Sequence, residues 1–227
     1  YGCYNHRKRF FMKKIASPLF QDISESELDT LAAARHLRTR QFAKHEVIFR
    51  AGSCVREIGI VLRGSVHIEN LDLWGTKSIL SSVGAGQAFA ETYAFCGEAL
   101  MVDAVAAEHC EILFLHTAAL TDARIEPALK DKLLRRLLAV SMRKNLSLSQ
   151  RIFCTTPKTV RGRLLTYFSA QAARCGRMEF EVPFNRQQMA DYLNLDRSAL
   201  SKELCKMRDE GLLEFDKNRF VLKQLPE

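Results

Sequence analysis

The chain has 227 residues, 47% of them hydrophobic and 26% charged, with a formal net charge of +8. This is enough apolar material for one large or two modest cores, yet no apolar run approaches the ~20 residues needed to cross a bilayer. The charge is uneven: residues 1–126 net −1 and residues 15–126 net −6, residues 127–154 hold seven Lys and Arg against one Asp, and residues 155–227 hold thirteen against ten. An acidic body joined to a basic C-terminal half points to different partners for the two halves, with a polyanion for the basic one.

Seven cysteines (3, 54, 96, 110, 154, 175 and 205) are scattered and odd in number, with no C-x-x-C pair. Neither a zinc knuckle nor a disulfide framework is indicated, and the expectation is reduced thiols in a cytoplasmic protein. The N-terminal stretch YGCYNHRKRFFMKKIA is basic, with too short an apolar run for a secretory signal. It opens on Tyr1, and Met12 is a candidate start. Residues 1–17 read as an arm.

Ser24-Glu25-Ser26-Glu27 opens a short helix with a capping box, and Leu28, Leu31 and Ala32 give it a buried face. From Leu37 to about His116, β-type runs alternate with glycines: Glu46–Phe49, Ile58–Leu62, Ser65–Ile68, Lys77–Leu80, Val102–Ala106 and Glu111–Leu115. Leu71 to Thr76 reads as a hairpin turn among them. Strands this short and this regularly punctuated predict an antiparallel roll over 18–126, jelly-roll-like in type.

Residues 127–154 form one long helical pattern without internal Pro or Gly. Leu134, Leu138, Ser141, Asn145, Leu148 and Ile152 are spaced 4, 3, 4, 3, 4, a heptad-like seam suited to a partner helix. Leu133, Leu137 and Val140 form a second stripe, expected to pack on the chain's own roll. A single buried helix serving one core is the alternative; two stripes and six net positive charges favour a dimerisation helix. Thr156 is then expected to cap a helix with Pro157 at its first position, running to about Ala173.

After a strand at Phe180 and Val182 comes NRQQMADYLNLDRSALSKEL (185–204). Asn185 can cap one short helix, with Gln188 completing a capping box, and Asp196 can cap a second. Met189, Ala190 and Leu193 share one face; Leu200, Leu204 and Met207 form an inward stripe on the second helix. Its other face carries Arg197, Ser198, Ser201 and Lys202, with Cys205 one turn on. Short hydroxyls permit close approach to a major groove, Arg can fork onto guanine, and Lys can reach base or phosphate. Alone, this stretch also fits an ordinary amphipathic hairpin. The strands Leu212–Phe215 and Arg219–Leu222 directly after it make it a winged helix-turn-helix over 155–227.

The sequence thus predicts an α+β chain: N-terminal β-roll, long dimerisation helix, C-terminal winged helix-turn-helix. That order resembles the Crp/Fnr family of bacterial transcription regulators over about residues 18 to 223. IFRAGSCVREIGIVLRGSVHI (48–68) and GQAFAETYAF (86–95) are similar to the family's effector-binding roll, and FNRQQMADYLNLDRSALSKEL (184–204) to its helix-turn-helix. The resemblance implies a homodimer on palindromic double-stranded DNA, a cyclic-nucleotide-binding-like sensor domain, and RNA polymerase as a further partner. It places Arg186 against a phosphate, with Gln187 in the same DNA-binding set, and turns Arg197, Ser198 and Lys202 toward bases.

The same resemblance marks Ala90, Glu91, Met101 and Val102 as effector-pocket positions. Cyclic-AMP-binding members have Gly-Glu and Arg-Ser at these places, and an apolar pair cannot neutralise a cyclic phosphate. No Lys or Arg lies between Gln87 and Ala123. Iron–sulfur members cluster N-terminal cysteines, whereas only Cys3 stands there. Haem on Cys96, His109 or His116 stays open, as does a thiol signal at Cys96 or an effector-binding module that never meets DNA; no cofactor is named by the sequence. The six histidines show no zinc-ligand spacing, and neither G-x-S-x-G nor a phosphate loop occurs, which speaks against an enzyme and for no catalytic residues.

Overall fold

The computed structural model describes residues 16–71 and 77–223, and the expected hairpin turn at 71–76 lies mostly outside them. Two compact units divide at Arg143 and Lys144.

The first unit opens with a 3₁₀ turn, Pro18–Phe20, and helix α1, Glu25–Ala33, whose Ser24–Glu27 capping box forms as expected. Strands β1 (Leu37–Phe42), β2 (Val47–Phe49), β3 (Glu57–Arg63), β4 (Val66–Leu71), β5 (Lys77–Val83) and β6 (Ala88–Phe89) follow. A short helix α2, Glu91–Cys96, precedes β7 (Asp103–Ala106) and β8 (Cys110–His116). They form two four-stranded antiparallel sheets, ordered β1-β8-β3-β6 and β2-β7-β4-β5. Consecutive strands mostly fall in different sheets, which is what folds the chain into a roll.

β8 is the strand with most to bury. Cys110, Ile112 and Phe114 point into the space between the sheets with Phe42, Val61, Val66, Phe89 and Ala106. Leu113 and Leu115 point the other way, with Ile58 and Ile60 of β3, into a second core. That core is closed by Leu28 and Leu31 of α1 and by Ile125, Leu129, Leu133 and Leu137. Burial on both faces explains why Cys110–His116 reads as a near-continuous apolar run. On β3 the period of two is kept by a glycine. Gly59 faces the Phe89 ring, and a Cβ there would stand 2.3 Å from its Cζ, so only glycine lets the ring lie flat on the strand.

Helix α3, Pro127–Thr155, is one uninterrupted element of 29 residues. In the first unit it buries Leu129, Leu133 and Leu137, with Val140 packed alongside. Lys132 bonds Glu27 of α1 at 2.7 Å, and Arg136 pairs with Asp22. The expected inward stripe is therefore in place. The seam side chains face outward: Leu134, Leu138, Leu148 and Ile152 are exposed, as is Asn145, and Ser141 is half-buried. Met142, Leu146 and Phe153 widen the exposed apolar face beyond that seam.

The second unit contains α4 (Val160–Cys175), β9 (Glu179–Glu181), α5 (Arg186–Leu193), α6 (Arg197–Asp209), β10 (Leu213–Asp216) and β11 (Arg219–Leu222). The start of α4 corrects the sequence reading. Thr159, not Thr156, is the N-cap, accepting from the Gly162 amide at 3.0 Å, and the helix runs on to Cys175. The Thr156 hydroxyl instead donates back to the Ile152 carbonyl at 2.8 Å, closing α3 rather than opening α4. Pro157 falls in the connection, where its ring packs within reach of Gly162.

Candidate nucleic-acid interface and sensor loop

The helix-turn-helix is set by three local contacts. Asn185 accepts from the Gln188 amide at 2.9 Å while the Gln188 side chain accepts from the Asn185 amide at 2.9 Å, a reciprocal capping box. Asn194 ends α5 in the left-handed conformation, φ 52°, which asparagine tolerates better than other side chains. Asp196 then caps α6, its Oδ1 accepting from the Ala199 amide at 2.9 Å.

Behind these helices lies a core of Met189, Ala190, Leu193, Leu200, Leu204 and Met207, all fully buried as the spacing predicts. The wing joins it. Phe220 of β11 packs on Phe168 of α4, ring centroids 4.6 Å apart, and pairs across the sheet with Phe180 of β9. Tyr167 and Tyr192 meet edge to face at 5.6 Å. The sheet order β10-β11-β9 therefore ties the wing to the strand preceding the helix pair.

Arg161 of α4 fixes the back of α6. It pairs with Glu203 at 2.6 Å and bonds both carboxylate oxygens of Glu210, at 2.8 and 2.9 Å. Glu210, then Glu203, hold its guanidinium well above the ordinary range. Glu203, and Glu210 at the C-cap of α6, are thereby held against α4.

That open face carries Arg197, Ser198 and Lys202, all exposed, with Ser201 half-buried beside them and Cys205 exposed one turn on. Among these, the Ser198 hydroxyl is engaged, donating to Asp196 at 2.5 Å. Gln187 on α5 is exposed and donates to Asp191 at 2.9 Å. Arg186 is half-buried, its guanidinium stacked 4.9 Å from the Phe215 ring and 5.1 Å from the Phe220 ring. Desolvation there lowers its pKa, yet a guanidinium stays cationic at neutral pH. This packing between α5 and the wing had no signal in the local sequence.

In the roll, the loop after β6 is held by backbone geometry. Ala90 sits at φ 62° at the start of α2, with no side-chain cap, and Glu91 is buried. Residues 99–103 are zipped to residues 51–54: the Gly52 amide donates to Leu100 at 2.7 Å, the Leu100 amide to Ser53 at 3.0 Å, and the Ala51 amide to the Asp103 carboxylate at 2.6 Å. Met101 is 77% exposed and Val102 half-buried, so the two apolar residues share a short solvent-facing strap. Cys96 and His109 are exposed. His116 spends its ring Nδ1 accepting from the Ala118 amide at 3.0 Å. His109 and His116 flank opposite ends of β8, roughly 20 Å apart at strand rise, too far to share one haem iron. Among the described residues no group of three or more His, Cys, Asp or Glu could hold a metal ion. No helix among them is long and apolar enough to cross a membrane.

Two family matches follow the same division. Residues 39–124 match the family described as cyclic nucleotide-binding domain, and residues 162–227 match the Crp-like helix-turn-helix domain. With a sensor roll, a long helix and this reading head in one order, the chain belongs to the Crp/Fnr family of DNA-binding transcription regulators, with an effector-binding domain ahead of the helix-turn-helix. Among solved structures it is similar to CprK complexed with OCPA, at 14% identity and TM-score 0.64 over 87% of this chain and 92% of that one. It is also similar to a cyclic nucleotide-binding domain from Methylobacillus flagellatus, at 22% and 0.55 over 67% and 85%. The catabolite activator protein of Thermus thermophilus aligns at 24% and 0.48 over 91% and 94%. No curated protein matches.

The Asp196 cap yields a pH-dependent expectation. The Ser198 hydroxyl, then the Ala199 amide, hold its carboxyl below the ordinary value. A group depressed on folding contributes stability above its unfolded pKa, near 4, and loses it as pH falls through the lower folded value. Asp196→Asn should keep the cap and flatten this acid limb of the melting curve. Asp196→Ala should lower the melting temperature at neutral pH and speed amide exchange at Ala199.

Proposed function

We propose that the protein is a cytoplasmic, homodimeric, sequence-specific DNA-binding regulator that lays α6 into the major groove of each half of a palindromic operator. The observation that carries this reading is the two-sidedness of α6. Leu200, Leu204 and Met207 are wholly buried, Glu203 and Glu210 are drawn back onto Arg161, and Arg197, Ser198 and Lys202 are left outward. A wing follows directly. Arg197 and Lys202 are in the position to reach base edges, with Ser198 and Ser201 allowing close approach. Arg186 stands at the first turn of α5, where its charge and the helix N-terminus together favour a phosphate, and Gln187 beside it is a further backbone contact. RNA polymerase is the remaining protein partner this reading implies.

Losing a bidentate base contact costs about 1–3 kcal/mol at one position of each half-site. Arg197→Ala should therefore flatten sequence preference at that position in a selection from random duplexes. Arg186→Ala should weaken all duplexes alike and reduce the salt slope by about one. Unchanged preference in Arg197→Ala would sink the assignment of α6.

The dimer is assigned to α3 because its apolar seam is left outward, Leu138 being 56% and Leu148 60% exposed. Charges placed in a two-helix interface oppose association. The double variant Leu138→Glu/Leu148→Glu should sediment as a monomer, and an intact dimer would refute the seam.

The effector proposed for the roll is not a cyclic nucleotide. Burying a phosphate anion requires a cation or a set of amide donors. The chain has no Lys or Arg between Gln87 and Ala123, Glu91 is buried in the loop, and Met101 and Val102 occupy the strap. A neutral or apolar ligand fits this lining better. Calorimetric titration with cyclic AMP and cyclic GMP at physiological salt should show no micromolar binding, and such binding would overturn the assignment.

A further inference from the structure

The last turn of a helix leaves its final carbonyls without intrahelical partners, and water or a capping group normally takes them. At the end of α5 the Ala190 carbonyl is taken by the Leu195 amide at 2.9 Å. The next four are met by two arginines, the Asp191 carbonyl also accepting from the Asn194 amide at 3.3 Å. Arg151 donates from Nη2 to the Asp191 carbonyl and from Nε to the Tyr192 carbonyl, both at 3.0 Å. Arg163 donates from Nη1 to the Leu193 carbonyl at 3.1 Å and to the Asn194 carbonyl at 2.7 Å.

Arg151 lies in the last turns of α3, its guanidinium 5.9 Å from the Tyr192 ring. Arg163 lies in the first turn of α4 and bonds the Pro157 carbonyl at 2.8 Å through Nε. Neither guanidinium has a carboxylate partner among the described residues. Both cations sit where the α5 dipole is negative; Arg151 spans two successive carbonyls through the rigid fork of Nε and Nη2, whereas Arg163 reaches its two from the single Nη1. The clamped residues are the turn of the helix-turn-helix. Asn194 is its left-handed residue and Asp196, two positions later, is the α6 cap.

We infer that Arg151 and Arg163 are positioning residues of the reading head: by filling the four carbonyls of the α5–α6 turn they set the direction in which α6 leaves it. Through Arg151, the helix assigned to dimerisation is bonded directly to that turn. Neither arginine needs to touch DNA in this role. The inference rests on the DNA-binding reading above and adds what fixes the geometry of its reading helix.

Two independent readouts on the full chain test it. The first is amide hydrogen exchange without DNA. In Arg151→Ala, exchange at Asn194 and Leu195 should rise roughly tenfold as the turn opens locally. The second is the ratio of affinity for a selected operator to affinity for random duplex. It should fall roughly tenfold with the salt slope unchanged, because a displaced α6 loses base contacts and keeps phosphate contacts. Arg151→Lys keeps the charge without the fork, so it should recover the melting temperature and leave the ratio low; it also carries the test if the alanine variant does not fold.

Unchanged exchange in both variants would overturn the clamp whatever happens with DNA. Faster exchange with an unaltered ratio would overturn the positioning role. Equal loss on both duplexes with a shallower salt slope would make Arg151 a phosphate contact, and full recovery of the ratio by lysine would reduce the clamp to charge alone; either outcome overturns the inference. Wild-type protein without affinity for any duplex would instead refute the DNA-binding reading, with the exchange result still deciding whether the clamp holds the turn.

Discussion

The first unit depends on one strand being buried from both sides. β8 supplies Cys110, Ile112 and Phe114 to the roll interior and Leu113 and Leu115 to the layer beneath α3. Two cores are thereby made from one strand, and neither closes without it. The strand is flanked by β1 and β3, so its backbone groups are spent inside the sheet. The hydrophobic stabilisation is correspondingly concentrated: each fully buried Ile, Leu or Phe contributes on the order of 1.5–3 kcal/mol relative to exposure. The pairing with β3 also places Gly59 beneath Phe89 at the entrance to the Ala90–Glu91 loop.

The second unit solves a different problem. A small head must hold one helix with its polar side open, and aromatic packing supplies the rigidity. Phe168, Phe180 and Phe220 form a continuous cluster, with Phe215 at its edge under the Arg186 guanidinium. Around it, arginines act in two ways. Arg161 gathers carboxylates, and Arg151 with Arg163 gathers carbonyls. The excess of basic residues over 127–163 therefore does not simply add to a polyanion-binding surface. Part of it is consumed in building the head.

How much was legible in the sequence follows from the range of the interactions. The capping boxes at Ser24 and Asn185 and the cap at Asp196 act over three residues, and the structure keeps all three. The buried stripes of α3 and α6 follow from helical period alone. β1 was not singled out because Leu-Arg-Thr-Arg-Gln-Phe buries only its two ends; as an edge strand it carries charges that pair with Glu57 and Glu46. Helix α2 begins at a left-handed alanine with no side-chain cap, so no residue announces it. At Thr156 two valid signals competed, and the hydroxyl back-bonding to Ile152 left the capping role to Thr159. The residues proposed to face DNA could be chosen from one helix face. The clamp on the α5 carbonyls could not, since its partners lie 30 to 41 residues apart in sequence and its acceptors are backbone atoms.

The distribution of aromatic residues gives the two units separate optical signatures. The chain has a single tryptophan, Trp74, in the sequence of the first unit. The sequence of the second unit has no tryptophan, and its two tyrosines, Tyr167 and Tyr192, lie edge to face beside Arg151. Indole emission therefore comes from the first unit's sequence, while the coupled Tyr167–Tyr192 pair adds to the near-ultraviolet dichroism a contribution that belongs to the head. Signals from sensor and reader can be followed in the same unlabelled sample, and their coincidence or separation on heating or on ligand addition becomes a direct optical measure of how tightly the two are coupled.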